Sequence, residues 1–244
     1  MPDLVLEPRG PFSLPAAGRF LKDFPPADNQ GPDERGTVRL AFVLDDYSGA
    51  AAVALRQADD DAPVEVAVAG TDRLDVVRGQ LERILGLEHD AAPFLGVLDG
   101  DPVLRERWER TGHLRAVSFP SPYEAACWSV IALRLRQAQA VRVRQRIEER
   151  LGERIDVAGL PLTTFPVPDR LRELPGLGPF YATLVLVRAT GATDAFFPIE
   201  RLRRAAARAY EMADTPTEEA FTELAERWRP FRAWAGVLLR AGDR

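Results

Sequence analysis

Hydrophobic positions in the first third of the chain follow the spacing of β-strands. Apolar or alternating segments occupy residues 4–6, 37–43, 51–55 and 64–68, and clusters of Pro, Gly and Asp separate them. Short segments of this kind, bounded by turn residues, are typical of strands. Residues 14–20 have the composition of a short helix after the first strand. The pattern therefore predicts a small sheet with at least one helix beside it.

Helical spacing appears after the last of these strands. Residues 72–85 place Leu74, Val77, Leu81 and Leu85 along one face. This stripe predicts an amphipathic helix that packs on the sheet.

The segment 87–119 is a transition in which one short helix is predicted, at about residues 102–111. This helix follows the turn formed by residues 99–101 and precedes Gly112. His113 is interpreted as a C-cap or surface residue without a catalytic role.

From Ser121 onward the pattern is helical for about eight turns. Ser121 to Glu124 has the form of a capping box, with Pro122 at the first helical position. Trp128 lies on the apolar stripe and is interpreted as core. Residues 153–168 contain three prolines and are predicted to be a loop. The helical segment carries six arginines, Arg134, Arg136, Arg142, Arg144, Arg146 and Arg150. Most of them are interpreted as a solvent-exposed face, with Arg134 and Arg136 as the exceptions.

These elements predict an α+β protein of two domains. Residues 1–88 form a sheet domain with one or two helices, and residues 89–244 form a helical domain. A chain of 244 residues that is 46% hydrophobic can bury a full core. No run of 18 uncharged apolar residues occurs, and the first ten residues lack a signal-peptide pattern. With Cys127 as its one cysteine, the chain suits a reducing compartment, and we expect a cytoplasmic protein.

Charge is distributed unevenly along the chain. The net charge is −5, but residues 1–112 carry −9 and residues 113–244 carry +4. A local excess of arginine is typical of a surface that contacts phosphates. The second part of the chain is therefore the candidate nucleic-acid-binding part. Two histidines and no Cys/His cluster make a structural zinc site unexpected.

The candidate chemistry lies between residues 174 and 200. The sequence LPGLG at residues 174–178 predicts a Gly-bracketed hairpin, an apolar helix follows to about Thr190, and Glu200 heads the next helix. Glycine allows backbone N–H groups to approach a phosphate closely. The alternative is an ordinary turn between helices, in which Gly supplies left-handed geometry. For Glu200, the alternative is a first-turn glutamate that complements the helix dipole.

At these residues the chain resembles the helix-hairpin-helix DNA glycosylases, and most closely the AlkA-type 3-methyladenine DNA glycosylases. Residues 121–155 are similar to the helices that precede the hairpin in that family, and residues 225–240 are similar to its closing helix. The resemblance implies a TATA-binding-protein-like antiparallel sheet domain followed by an all-α domain. That second domain would hold the helix-hairpin-helix motif at about residues 169–190.

The resemblance also implies the site residues. Glu200 stands where the family carries its catalytic aspartate, and Asp194 is a weaker candidate. Stacking on the damaged base is implied for Phe180, Tyr181 and Trp234. DNA contacts are implied for the hairpin residues Gly176, Leu177 and Gly178, and for Leu133, Arg134 and Arg136 at a bend between two helices.

The sequence departs from the family pattern at several of these places. Glutamate replaces aspartate at residue 200, and Leu133 and Arg134 replace the glutamines of the bend. Several dozen residues of the family, which form helices just before the hairpin, have no counterpart. The lysine of bifunctional relatives corresponds to Phe180, and a late pocket tryptophan corresponds to Arg240.

Three hypotheses follow from this pattern. The first is a monofunctional DNA glycosylase of base excision repair that hydrolyses the N-glycosidic bond of alkylated purines. The second is a non-catalytic DNA-binding protein that has lost excision, and the third is a protein-interaction scaffold. The expected partner of the first is double-stranded DNA with damaged bases, bound by a monomer without a membrane. No cofactor is predicted, an iron–sulfur cluster is excluded by the single cysteine, and a monovalent cation at the hairpin is left open.

Overall fold

The computed structural model describes most of the chain. The described residues are 2–22, 32–46, 48–165, 193–194, 196 and 198–241. The strands in this part are β1 (Leu4–Leu6), β2 (Val38–Val43), β3 (Ala50–Gln57), β4 (Val64–Ala69), β5 (Arg154–Val157) and β6 (Leu160–Thr163). The helices are α1 (Leu14–Lys22), α2 (Leu74–Leu85), α3 (Ala92–Asp99), α4 (Pro102–Arg110), α5 (Pro122–Ile131), α6 (Gln137–Leu151), α7 (Glu200–Ala209), α8 (Glu218–Glu226) and α9 (Arg232–Ala241). None of these described helices is long and apolar enough to cross a membrane.

The first four strands form one antiparallel sheet in the order β1–β4–β3–β2. Alternate residues of β2, namely Val38, Leu40 and Phe42, are buried in the main core. Helices α1 and α2 contact strands of this sheet, as the hydrophobic stripe of α2 predicts. The four strands and the two helices predicted for this region are confirmed.

The prediction of a loop at residues 153–168 is wrong, because β5 and β6 form an antiparallel hairpin there. Its turn residues, Ala158 and Gly159, have φ values of 48° and 75°, as two-residue hairpin turns require. Pro161 is tolerated because β6 pairs with β5 alone among the described strands, and proline is accepted on an edge strand. The proline that suggested a loop is thus compatible with the strand.

The hairpin covers the second face of the sheet. That face is rich in alanine, with Ala50, Ala52 and Ala54 packed against Ile155 and Val157. Small side chains leave room for a second β-layer to approach closely. The sheet is therefore enclosed by helices on one side and by the hairpin on the other.

The helices after the sheet also include one that the pattern did not reveal. Helix α4 is confirmed, with the buried carboxylate of Asp101 accepting from the Leu104 N–H at its start. Helix α3 was not predicted, because its two buried residues, Phe94 and Leu98, provide less than two turns of apolar spacing. His113 follows α4 with a φ of 62°, and its N–H donates to the Trp108 carbonyl, which fits a C-cap.

The long helical segment divides at residues 132–136 into α5 and α6. Ser121 caps α5 by accepting from the Glu124 N–H at 3.1 Å, as predicted. The Glu124 side chain does not complete the capping box, because it pairs with Arg144 of α6 at 2.8 Å. The interpretation of Arg144 as solvent-exposed is therefore wrong, since it is 4% exposed.

One hydrophobic core joins the sheet and the helices. It contains Leu6 and Phe42 from the sheet, and Trp228, Trp234 and Leu239 from the last helical region. The predicted boundary at residue 88 marks the change from sheet to helices, but within the described residues this core continues across it.

A buried arginine, Arg115, lies between the segment after β1, the turn after α2 and the last helix, α9. Arg115 is 1% exposed, and its guanidinium donates to five backbone carbonyls. The carbonyls belong to Arg9, Gly10, Pro11, Gly86 and His89, at 2.6–3.2 Å. Two of the acceptors, Gly10 and Gly86, have φ values of 75° and 68°, a conformation that glycine adopts without strain.

Aromatic rings cover the same guanidinium. The Arg115 Cζ lies 5.6 Å from the centroid of the Phe12 ring and 5.8 Å from that of the Trp234 ring. Burial lowers the pKa of Arg115 to about 10, so the side chain remains a cation at neutral pH. Backbone carbonyls and aromatic faces thus take the place of water around a buried charge.

We expect Arg115→Met to destabilise the protein strongly. The substitution preserves side-chain length but removes a donor from five carbonyls, of which that of Arg9 keeps the Ala91 N–H. Each buried group left unsatisfied costs about 1–3 kcal/mol. The predicted loss is at least about 3 kcal/mol in the free energy of unfolding, measured in urea. Arg78→Met is the matched control, since exposed Arg78 donates to the single carbonyl of Val5. Equal effects of the two variants would contradict the role assigned to Arg115.

Candidate active site

The predicted hairpin lies outside the described residues. The predictions that fall there, and that stay predictions, concern Gly176, Leu177, Gly178, Phe180 and Tyr181. The described part of the site consists of the segment after the hairpin, the last helix and the bend between α5 and α6.

Helix α7 begins at the candidate catalytic residue. Glu200 occupies its first position, after Ile199 with extended backbone angles of −61° and 145°. The buried side of the helix carries Leu202, Ala205 and Ala206, and Leu202 lies against Gly236 of α9. Packing on α9 therefore fixes the direction of α7 and leaves Glu200 at its free N-terminal end.

The Glu200 side chain is largely accessible. It is 64% exposed and forms an ion pair with Arg204, one turn further along α7. Exposed pairs of this kind contribute about 0.3–0.5 kcal/mol, so Arg204 does not hold the carboxylate against a stronger ligand. The carboxylate also lies at the positive end of the α7 dipole. The Glu200 carboxylate is thus accessible to solvent and lies at the N-terminus of a helix.

Asp194, the second candidate carboxylate, has a different environment. Its carboxylate accepts from Arg232 Nε and Nη2 at 2.8 Å each and from Arg229 Nη1 at 2.8 Å. Burial alone would raise the pKa of Asp194, but hydrogen bonds from Arg232 and the charges of both arginines hold it below its ordinary value. Asp194 therefore has a structural role as the ion-pair partner of Arg229 and Arg232.

This ion pair attaches the segment before α7 to the beginning of α9. The carbonyl of Thr193, beside Asp194, accepts from the Ala233 N–H at 2.8 Å. Arg232 also lies over the Phe196 ring, with its Cζ 5.5 Å from the centroid. These contacts hold the segment that leads to Glu200 against the start of α9.

Trp234 is a core residue of α9. It is 3% exposed, and its ring contacts those of Phe94 and Phe231 at centroid distances of 5.3 and 5.1 Å. Arg115 covers the ring as well. A contact between Trp234 and a bound base stays a prediction, because residues 166–192 lie outside the described part of the chain.

The bend between α5 and α6, residues 132–136, is hereafter the tip. Leu133 is 39% and Leu135 is 41% exposed, and Arg134 and Arg136 are exposed beside them. Arg134 has a φ of 60°, which is uncommon for a residue with a β-carbon and often marks a functional site. The structure thus brings exposed apolar and cationic side chains together on one turn, and their contact with DNA stays a prediction.

A shallow cavity beside the tip was not predicted. Its volume is about 470 Å³, and its described lining is Gln137, Ala138, Val141 and Arg142. These residues share one face of α6, at helical spacings of one, four and five positions. That spacing was visible in the sequence, but only the fold shows that the face borders the tip. Within the described part of the chain, no group of three or more acidic, His or Cys side chains is arranged to hold a metal ion.

Comparisons with known proteins place this geometry in context. No family model matches the chain. The DNA-3-methyladenine glycosylase of Bacillus subtilis (strain 168) is 28% identical over 88 residues, which is 36% of this chain. The match spans 29% of the length of that curated relative.

Solved structures match over nearly the full length. The 3-methyladenine DNA glycosylase from Archaeoglobus fulgidus superposes with a TM-score of 0.80 at 22% identity, covering 99% of this chain and 98% of that one. The 8-oxoguanine glycosylase/lyase of Clostridium acetobutylicum, in complex with double-stranded DNA, superposes with a TM-score of 0.67 at 13% identity, covering 99% and 98%. The chain therefore has the α+β fold of DNA glycosylases.

Proposed function

We propose that this protein is a monofunctional DNA glycosylase of base excision repair that hydrolyses the N-glycosidic bond of alkylated purines. In this proposal Glu200 is the catalytic carboxylate. The observation that carries the proposal is the contrast between two carboxylates that are close in sequence. Asp194 is held by two arginines, whereas Glu200 is 64% exposed at the start of α7.

An exposed carboxylate at this place suits the chemistry. Breaking the N-glycosidic bond builds positive charge on the sugar, and a carboxylate beside the ring stabilises that charge and orients water. The base must first leave the stack, at a cost of a few kcal/mol. Glutamate reaches one methylene further than aspartate, so the Glu200 carboxylate can meet a nucleoside that lies beyond the end of α7.

The chain's lysine content supports hydrolysis rather than lyase chemistry. A lyase of the Schiff-base type needs an amine nucleophile. The single lysine of the chain is Lys22, the last residue of α1, and α1 packs against β2. The product of the proposed reaction is therefore an abasic site in an intact DNA strand.

The tip provides the proposed DNA contact. Leu133 would fill the gap left by an everted base, while Arg134 and Arg136 would neutralise adjacent phosphates. The net charge of +4 over residues 113–244, the part of the chain that carries the tip, favours contact with phosphates. Together with the predicted hairpin, the tip would hold the backbone on both sides of the damaged nucleotide.

Alkylated purines are the proposed substrates for two reasons. N3- and N7-alkylpurines carry a positive charge, which makes them good leaving groups and favours stacking on aromatic faces such as those predicted for Phe180 and Tyr181. The Bacillus subtilis and Archaeoglobus fulgidus proteins are named as 3-methyladenine glycosylases. The 8-oxoguanine enzyme shares the fold at lower similarity, so 8-oxoguanine is the second base to test.

We expect Glu200→Gln to abolish excision without loss of stability. The rate of base release from methylated duplex DNA should fall by about 10²-fold or more, as when a group that stabilises the transition state is removed. The midpoint of urea unfolding should change little, because Glu200 is exposed. Excision equal to that of the unaltered protein would exclude Glu200 as the catalytic group. Binding to abasic-site DNA without any release by the unaltered protein would favour a non-catalytic DNA-binding protein.

Asp194→Asn should show the opposite behaviour. The substitution removes the charge that Arg229 and Arg232 bind, and we expect a loss of about 1–2 kcal/mol in the free energy of unfolding. Since the folded-state pKa of Asp194 is lowered from 3.8, its contribution is present above that pH and is lost as the pH falls below it. The stability difference between Asp194→Asn and the unaltered protein should therefore shrink in acid. A difference that is independent of pH would contradict this assignment.

Arg134→Ala should weaken binding to abasic-site duplex DNA by about tenfold and reduce the salt dependence of the affinity by about one phosphate contact. Arg150→Ala is the matched control, since Arg150 is an exposed arginine at the other end of α6. Titrations at several salt concentrations would measure both effects. Equal losses in the two variants would indicate a general effect of net charge and not a contact at the tip.

A further inference from the structure

A buried cluster of charges joins α5 and α6 behind the tip. Arg144 Nη2 lies 2.8 Å from Glu124 Oε2, and Arg144 Nε lies 2.8 Å from Glu148 Oε1. The side chains of Arg144, Glu124 and Glu148 are 5%, 0% and 9% exposed, respectively. The Arg144 Cζ also lies 4.9 Å from the centroid of the Phe165 ring. We call the Glu124–Arg144 pair the clamp.

The position of the clamp on the two helices is symmetrical about the tip. Glu124 lies seven residues before Ile131, the end of α5, and Arg144 lies seven residues after Gln137, the start of α6. Seven helical residues span about 10 Å, or two turns. The clamp therefore joins the two helices, here called the arms, at equal numbers of residues from the tip. A tie of this kind constrains the angle between the arms.

The apolar contacts between the arms form two small clusters. One has Phe119, Ala125, Trp128 and Ala140 as its buried members, and the other places Tyr123 of α5 near Ile147 of α6. Leu133, Arg134, Leu135 and Arg136 are all exposed, so no buried side chain of their own holds these tip residues. Apolar contact is non-directional, whereas a bond between a guanidinium and a carboxylate has a defined geometry.

The clamp is also poorly optimised for stability. Among the described residues, Arg144 Nη1 is buried without a hydrogen-bond partner, and Glu124 Oε1 has only a contact from the Val43 backbone that is too poor in geometry for a full hydrogen bond. Burial raises the pKa of Glu124 against the opposing effect of Arg144. Buried ion pairs often stabilise a fold no better than apolar residues of similar size. A role in positioning the two helices therefore explains the Glu124–Arg144 pair better than a contribution to the stability of the fold does.

We propose that Glu124 and Arg144 are positioning residues that set the angle between α5 and α6 and thereby place the tip for contact with DNA. The geometric part concerns the fold alone, and the DNA part rests on the function proposed above. Replacement of the clamp by apolar residues would leave the fold intact and let the arms vary in angle.

The geometric part is tested by a distance measurement without DNA. Spin labels are attached to cysteines at Asp75→Cys on α2 and Arg150→Cys on α6, both at exposed positions, in a Cys127→Ala background. Pulsed electron paramagnetic resonance then gives the distance distribution between them. The clamp is removed by Glu124→Leu, Arg144→Met and Glu148→Gln together, so that no carboxylate is left buried and unpaired.

The expected result is an unfolding midpoint equal to or above that of the labelled parent and a distribution at least twice as wide. A distribution of unchanged mean and width would overturn the proposal. If the triple variant does not fold, Glu124→Gln alone is measured, and an unchanged distribution there overturns it equally. Glu106→Leu with Arg110→Met is the matched control, since it removes an exposed ion pair of α4 and should not alter the distribution.

The DNA part is tested with unlabelled protein. Loss of the clamp should weaken binding to abasic-site duplex by about tenfold, as displacement of a positioned group does. Arg134→Ala should then cost less in the clamp-free protein than in the parent, because both changes act through the tip. Additive costs would overturn the positional role. A parent that does not prefer abasic-site DNA, combined with a widened distribution, would refute the proposed function and leave the geometric part standing.

Discussion

The packing of the sheet against the helices depends on a buried cation. Arg115 gathers the carbonyls of residues 9–11 and of the turn after α2, and its flat faces meet Phe12 and Trp234. A planar guanidinium can satisfy several carbonyls at once, which a lysine could not do with the same geometry. The N-terminal segment, α2 and α9 must therefore all be in place together. This requirement explains why one core runs through both predicted domains.

Carboxylates then fix the helices that surround the site. Asp101 at the start of α4 accepts from Tyr210 Oη at 2.7 Å and from Trp228 Nε1 at 2.9 Å. Burial, and then the contact with Asp101, raise the pKa of Tyr210. Asp194 holds the segment before α7 on α9 through Arg232. Asp101 and Asp194 are thus engaged with aromatic or arginine partners, whereas Glu200 is 64% exposed.

The proposed enzyme would combine two differently constructed regions. Glu200 is carried on a helix whose direction follows from packing on α9. The tip joins two helices that contact each other through two small apolar clusters and a buried ion pair. A glycosylase needs a rigid carboxylate beneath the sugar and a group at the gap in the stack, and in the proposed enzyme separate parts of the fold would meet these two needs.

Local pattern was sufficient for much of the architecture. Strands β1 to β4, helices α1, α2 and α4 and the Ser121 cap follow from short-range periodicity and capping chemistry, which each segment carries in its own residues. The β5–β6 hairpin was hidden because Pro161 reads as a breaker until an edge strand is known to accept it. The sequence left Asp194 as a weaker catalytic candidate beside Glu200 and marked Arg144 as another exposed arginine. Their roles depend on partners distant in the chain, Arg232 for Asp194 and Glu124 for Arg144, because burial and ion pairing are properties of the assembled fold and leave no periodic trace in the sequence.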